Sequence, residues 1–64
     1  MLLKASSQRN AQALVNALGE AGFTAIAASR PSGSVVWIKN ATTHEDRDLA
    51  LRVARASDPL SDVA

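Results

Sequence analysis

An α+β fold with the element order β-α-β-β-α is expected for this chain of 64 residues, on three observations. Phe23 to Asn40 (FTAIAASRPSGSVVWIKN) reads as two strand-forming runs joined by a turn, and it holds the only Phe and the only Trp. Gln8 to Ala21 places Ala11, Leu14, Val15, Leu18 and Ala21 on one helical face. Thr42 to Ser57 carries a second helical signal, opened by capping residues and stopped before Pro59.

Taken in order, Met1 to Ala5 (MLLKA) reads as a short first strand. Leu3 and Ala5 face one side of it, Leu2 and Lys4 the other. Ser6 and Ser7 offer an N-cap to the first helix. Gly22 stops that helix as a left-handed residue, with Phe23 behind it closing the hydrophobic contact of such caps. Gly19 costs the last turn about 1 kcal/mol against Ala, and close packing on the sheet is the expected reason. In the hairpin, Arg30-Pro31-Ser32-Gly33 suits a type I turn followed by a bulge at Gly33. Val35, Val36, Trp37 and Ile38 are strong strand formers; Ala25, Ala27 and Ala28 are weak ones that depend on them.

The second helix matches a capping box, Thr42 with Glu45. Glu45, Asp46 and Asp48 suit its positive end, Arg52 and Arg55 its negative end. Leu49, Ala50, Val53 and Ala56 form its expected buried stripe. Pro59 ends it, and residues 59–64 read as a flexible tail beyond a single domain of residues 1–58. Connection rules then place both helices on one face of a three-stranded antiparallel sheet of order 2-3-1, a ferredoxin-like arrangement without its last strand. In that arrangement the first strand has an open edge, blunted only by Lys4, which predicts a homodimer or a partner complex in which that strand is paired or the outward side of Trp37 and Leu51 is covered.

Composition excludes several classes. With no cysteine there is neither a disulfide nor a Cys-based metal site. Apolar residues make up 47%, but thirteen are alanine, so the core is thin and outside surface is needed. Its large candidates include Leu14, Leu18, Val36, Ile38, Leu49 and Val53, with Ile26 among the rest. Net charge is +1, which supports no long-range attraction to nucleic acid or to an anionic membrane. No run approaches the roughly 20 apolar residues of a membrane span, and no signal peptide is evident, so a cytoplasmic location is expected. Five arginines against two lysines beside abundant alanine suggest a GC-rich bacterial or phage genome.

Asn10 to Ala27 (NAQALVNALGEAGFTAIA), with Ala11-Gln12-Ala13-Leu14 and Ala21-Gly22-Phe23-Thr24-Ala25, resembles the first helix and second strand of SPOR domains. Ser34 to Ala56 (SVVWIKNATTHEDRDLALRVARA) is similar to that family's third strand and second helix. The resemblance implies a ferredoxin-like fold and, as a function, the binding of denuded peptidoglycan glycans.

Few residues invite chemistry. Trp37 has two readings: a core residue under the helices, or an aromatic on the open sheet face between Lys39 and Lys4. On the open face it would stack a base or a sugar, but sheet-face nucleic-acid binders present two or three aromatics and this chain has one. Arg30 adds a cation at the hairpin turn. Arg47, Leu51 and Arg55 fall at i, i+4 and i+8 along one side of the second helix, either a docking stripe or a solvated face. His44 stands alone, and the serines have no base in evident reach. The chain therefore reads as a non-catalytic binding module without cofactor or metal, acting by contact with another protein or with itself, as a regulator or inhibitor does. A weak nucleic-acid binder using Trp37, Lys4, Lys39 and Arg30 is the alternative, and glycan binding the third reading.

Overall fold

The computed structural model describes residues 1–64. Two helices and an antiparallel sheet alternate as β1 (Leu2–Lys4), α1 (Gln8–Glu20), β2 (Ala25–Arg30), β3 (Gly33–Ile38), α2 (His44–Ser57) and β4 (Asp62–Val63). The sheet has four strands in the order β2-β3-β1-β4, which corrects the expected three. Both helices lie over one face, where Leu3, Val36 and Ile38 of the sheet meet Ala11, Leu14, Leu18, Ala50 and Ala54 of the helices in one apolar cluster. The order is compatible with a ferredoxin-like arrangement, now with its last strand present.

Local chemistry explains the boundaries. The Ser7 hydroxyl accepts from the Asn10 backbone N–H at 3.1 Å and caps α1. At the other end the Phe23 N–H donates to the Leu18 carbonyl (2.9 Å) and the Gly22 N–H to that of Gly19 (3.1 Å). Those two bonds, with Gly22 at φ +95°, make a Schellman cap, and they bring Phe23 into the core beside Leu18. The hairpin turns on Pro31 and Ser32 with Arg30 opposite Gly33; neither loop residue has positive φ, and Gly33 absorbs the reversal at φ +129°. Asn40 brackets the far end, accepting from the Thr24 N–H at 2.8 Å and donating to the Gly22 carbonyl at 3.2 Å.

α2 departs from expectation in two ways. Its cap is Thr43, one residue later than expected, with the hydroxyl accepting from the Asp46 N–H at 3.1 Å. Its most buried residues are Ala50 and Ala54, so the helix is rotated relative to the expected stripe. Leu49 is 44% exposed, Ala56 is exposed and Val53 half-buried. α2 packs against α1, and its two alanines one turn apart, Ala50 and Ala54, enter the same apolar cluster as Ala11, Leu14 and Leu18, where small side chains permit close packing. Ile26 also leaves the expected core, 48% exposed on the opposite face of the sheet.

The largest correction concerns residues 59–64. They are not a loose tail: β4 pairs antiparallel with β1, Leu3 opposite Val63 and Lys4 opposite Asp62, and the Ala64 N–H reaches the Leu2 carbonyl at 3.0 Å. The edge expected to be open on the first strand is thereby covered from within the chain, and the expectation that an outside strand pairs there loses its basis. What turns the chain back is Asp58. Only 1% exposed, its carboxylate accepts from the Ser6 backbone N–H and the Ser6 hydroxyl, both at 2.8 Å, and from the Leu60 N–H at 3.3 Å. Its own carbonyl accepts from the Ser61 N–H (2.9 Å) and hydroxyl (2.7 Å). Asp58-Pro59 is thus an Asx-type turn that ties the end of α2 to the start of α1.

Burial works to raise the Asp58 pKa, but the Ser6, Leu60 and Asn10 hydrogen bonds outweigh it and hold the carboxyl below its ordinary value. The folded state therefore binds this proton less readily than the unfolded chain. The stabilisation is fully present above the ordinary Asp value of about 3.9 and is lost as pH falls through the lower folded value. Asp58→Ala strands buried donors and is expected to cost about 1–3 kcal/mol in urea unfolding at pH 7, with the deficit shrinking in strongly acidic buffer. A deficit that does not change with pH would contradict this account.

Gly19 has nothing within 4 Å of where a Cβ would sit, so close packing does not explain it. Gly19→Ala should raise stability by up to about 1 kcal/mol, seen as a higher thermal midpoint. Leu18→Ala, at a fully buried position, should lower stability by about 2–5 kcal/mol in the same measurement.

Candidate functional site

Strand alternation sends Val36 and Ile38 under the helices and Val35 and Trp37 to the opposite face, which neither helix covers. Trp37 is 47% exposed there, which decides between its two readings in favour of the open face. It stands at the centre of a row across three strands: Leu2 of β1 opposite Trp37, and Ile26 of β2 on its other side. Cross-strand neighbours of this kind are close enough for their side chains to interact, so the row forms one apolar ridge. The next row is Lys4, Val35 and Ala28. Val35, on the central strand, is almost fully covered by its neighbours and makes a firm floor.

Cations surround the ridge. Lys39 follows Trp37 on the same side, its N–H donating to the Thr24 carbonyl at 2.9 Å, and Lys4 lies one row below. Arg30 lies at the hairpin end of the same face; all three are exposed. The acidic residue that the register brings to this side is Asp62, opposite Lys4, and its carboxylate is held by Arg55 at 3.1 Å in the structure's single salt bridge. A net charge of +1 thus conceals an uneven distribution. On the helices Glu20, Glu45, Asp46 and Asp48 are balanced by Arg9, Arg47, Arg52 and Arg55, while the open face is cationic.

The candidate residues therefore separate into two groups. Trp37, Lys39, Lys4 and Arg30 come together on the sheet face. Arg47, Leu51 and Arg55 follow α2 beside the β1–β4 edge. Leu51 is half-buried against the core, and Arg55 is engaged with Asp62. With Arg47, Leu51 lines a depression of about 260 Å³ whose other walls include Met1, Leu2 and Val63. Leu2 is common to the ridge and the depression. Leu2 and Ile26 were missed as members of the face; the alternation of β1 already placed Leu2 beside Lys4, whereas Ile26 was counted among core candidates because of its size. His44 is exposed at the first turn of α2, and no group of three His, Asp or Glu is placed to share a metal ion. No helix is long and apolar enough to cross a membrane.

A half-exposed Trp37 makes two measurable predictions. Its fluorescence should be quenched readily by acrylamide in the folded protein. Trp37→Ala should stay folded, losing clearly less stability than Leu18→Ala; an equal loss would mean that Trp37 belongs to the core.

Comparisons with family models, with curated proteins and with solved structures return no match to this chain.

Proposed function

We propose that this chain is a small non-catalytic binding module that recognises another protein through its open sheet face. The observation that supports the reading is the Leu2–Trp37–Ile26 ridge, aligned by strand register, half-exposed at its centre and ringed by Lys4, Lys39 and Arg30. Tryptophan anchors on a rigid floor with a charged rim are the composition of binding hot spots. The flanking residues favour one kind of partner. Leu2 and Ile26 are aliphatic, so the ridge suits apolar side chains better than a run of stacked bases, which calls for further aromatics. The cationic rim suits a partner segment with apolar residues at its centre and Asp or Glu around them. Such contact is how a regulator or inhibitor acts without chemistry of its own.

Single-stranded nucleic acid is the second reading, favoured by the three cations that share a face with Trp37. Glycan binding rests on the SPOR resemblance and a lone aromatic that a sugar ring would stack against.

Selection of a displayed random-peptide library against the domain, with Trp37→Ala as counter-target, tests the leading reading. Enriched peptides should combine bulky apolar residues with Asp or Glu, quench or shift the Trp37 emission, and lose at least tenfold in affinity to Trp37→Ala. Peptides that bind Trp37→Ala equally well would remove the sheet face from consideration. Oligonucleotide binding that weakens steeply with salt would favour the second reading instead.

A further inference from the structure

The hydrophobic core ends before the chain does. No residue after Ala54 belongs to the apolar cluster or to the half-buried apolar side chains packed against it. Within residues 59–64, Leu60 is 81% exposed and Val63 51%, and Ser61 alone is buried. Ser61 is polar, and its hydroxyl and N–H both donate to the Asp58 carbonyl, at 2.7 and 2.9 Å. This segment is therefore held mainly by polar contacts and little by packing.

Those contacts lie at its two ends. At the near end is the Asp58 turn. At the far end the Ala64 N–H donates to the Leu2 carbonyl at 3.0 Å, so alternation turns the N–H and C=O groups of Leu2 and Lys4 toward β4. Those of Leu3 turn to β3, because Met1 bonds Ile38 and the Ala5 N–H bonds the Ser34 carbonyl. Between the ends stands the Arg55–Asp62 pair, 3.1 Å apart, with both side chains more than half exposed, at 52% and 67%. A pair so open to water adds little hold.

We infer that residues 59–64 form a strap that opens as one unit, hinged at Pro59, while the rest of the fold stays closed. Opening breaks one short strand pair and leaves β1 in register with β3 from Leu2 to Lys4. The two Asp58 bonds to Ser6 do not pass through the strap, so the tie between α2 and the start of α1 survives. Because Leu60 and Val63 are exposed already, opening uncovers little further apolar surface. Few buried apolar contacts and exposed hydrogen bonds are the conditions for opening at low free energy.

The strap controls two features at once. Val63 and Ala64 wall one side of the depression that Arg47 and Leu51 line, and opening removes that wall. It also frees the outward backbone groups of Leu2 and Lys4. In the closed state Asp62 stands opposite Lys4; in the open state Lys4 loses that acidic neighbour and the cationic face is strengthened. Closure thus sets both the edge of the sheet and the charge beside it.

Native-state hydrogen exchange of the full chain, read by NMR at several low urea concentrations, tests the strap. The Lys4, Ser61, Asp62 and Ala64 amides should share one protection factor, about tenfold or more below those of Leu3 and Val36. That shared value should hardly change with urea, since the denaturant slope follows the surface exposed. Ser61→Ala removes a bond at the near end, and Asp62→Ala removes the ion pair. Each should lower the protection of the whole set by a common factor, with unchanged circular dichroism. Ser61→Ala therefore reaches Lys4 and Ala64, to which Ser61 makes no bond. Strap amides that match Leu3 and Val36 in protection and urea dependence would overturn the inference, because the segment would then open only on global unfolding. Protection that falls stepwise toward Ala64, with each substitution felt only by its neighbours, would overturn it too.

Discussion

The Asp58 carboxylate is the interaction on which the rest of this small fold depends. A chain with so much alanine buries few large side chains, and hydrophobic packing leaves the path of the last residues undetermined. One buried acid resolves that path by joining the two places where a strand meets a helix. Ser6 lies in the β1–α1 connection, Asp58 begins the α2–β4 connection, and two bonds of 2.8 Å hold them together. Asn10 extends the link by donating to the Ser6 hydroxyl at 2.6 Å. The negative charge also lies near the positive end of α1, where the helix dipole favours it. A turn at Pro59 then delivers Asp62 and Val63 to the free side of β1.

That link reorganises the surface as well as the core. With β1 enclosed, β2 and β4 are the two edges of the sheet. The open face keeps its ridge of Leu2, Trp37 and Ile26, whose floor at Val35 is rigid because both neighbouring strands are paired. Asp62 is drawn to Arg55 and leaves Lys4 with no ion pair, so the face remains cationic. Arg47 and Leu51 fall to a separate depression by the β1–β4 edge. One stretch of chain thus decides which surfaces remain to meet a partner.

Much of this was readable from local signals. Ser7, Gly22 and Phe23 bound α1 through short-range hydrogen bonds, and Pro31 to Gly33 identify the hairpin, so these elements follow from neighbouring residues alone. The failures involve distance in sequence. Asp58-Pro59 is a recognisable turn opener, but its carboxylate finds Ser6 across 52 positions, and a two-residue strand has no periodicity to detect. The rotation of α2 was hidden because Leu49 is large and apolar and looks like a core residue, whereas the buried positions are the small Ala50 and Ala54. Alternation put Trp37, Lys39 and Lys4 on one side of the sheet and left Arg30 as a cation at the turn, whereas the α2 stripe was legible only as a helix side, since its neighbour β4 was unrecognised.

The alanine seam between the helices has a consequence for how the helix layer is held. Ala50 and Ala54 have no side-chain rotamers, so α2 itself has little means to repack where it meets the core. Asp58 follows α2 directly, so the same side chain that closes this helix also fixes the β1–α1 connection through Ser6. The helix layer and the edge of the sheet thus share one polar link.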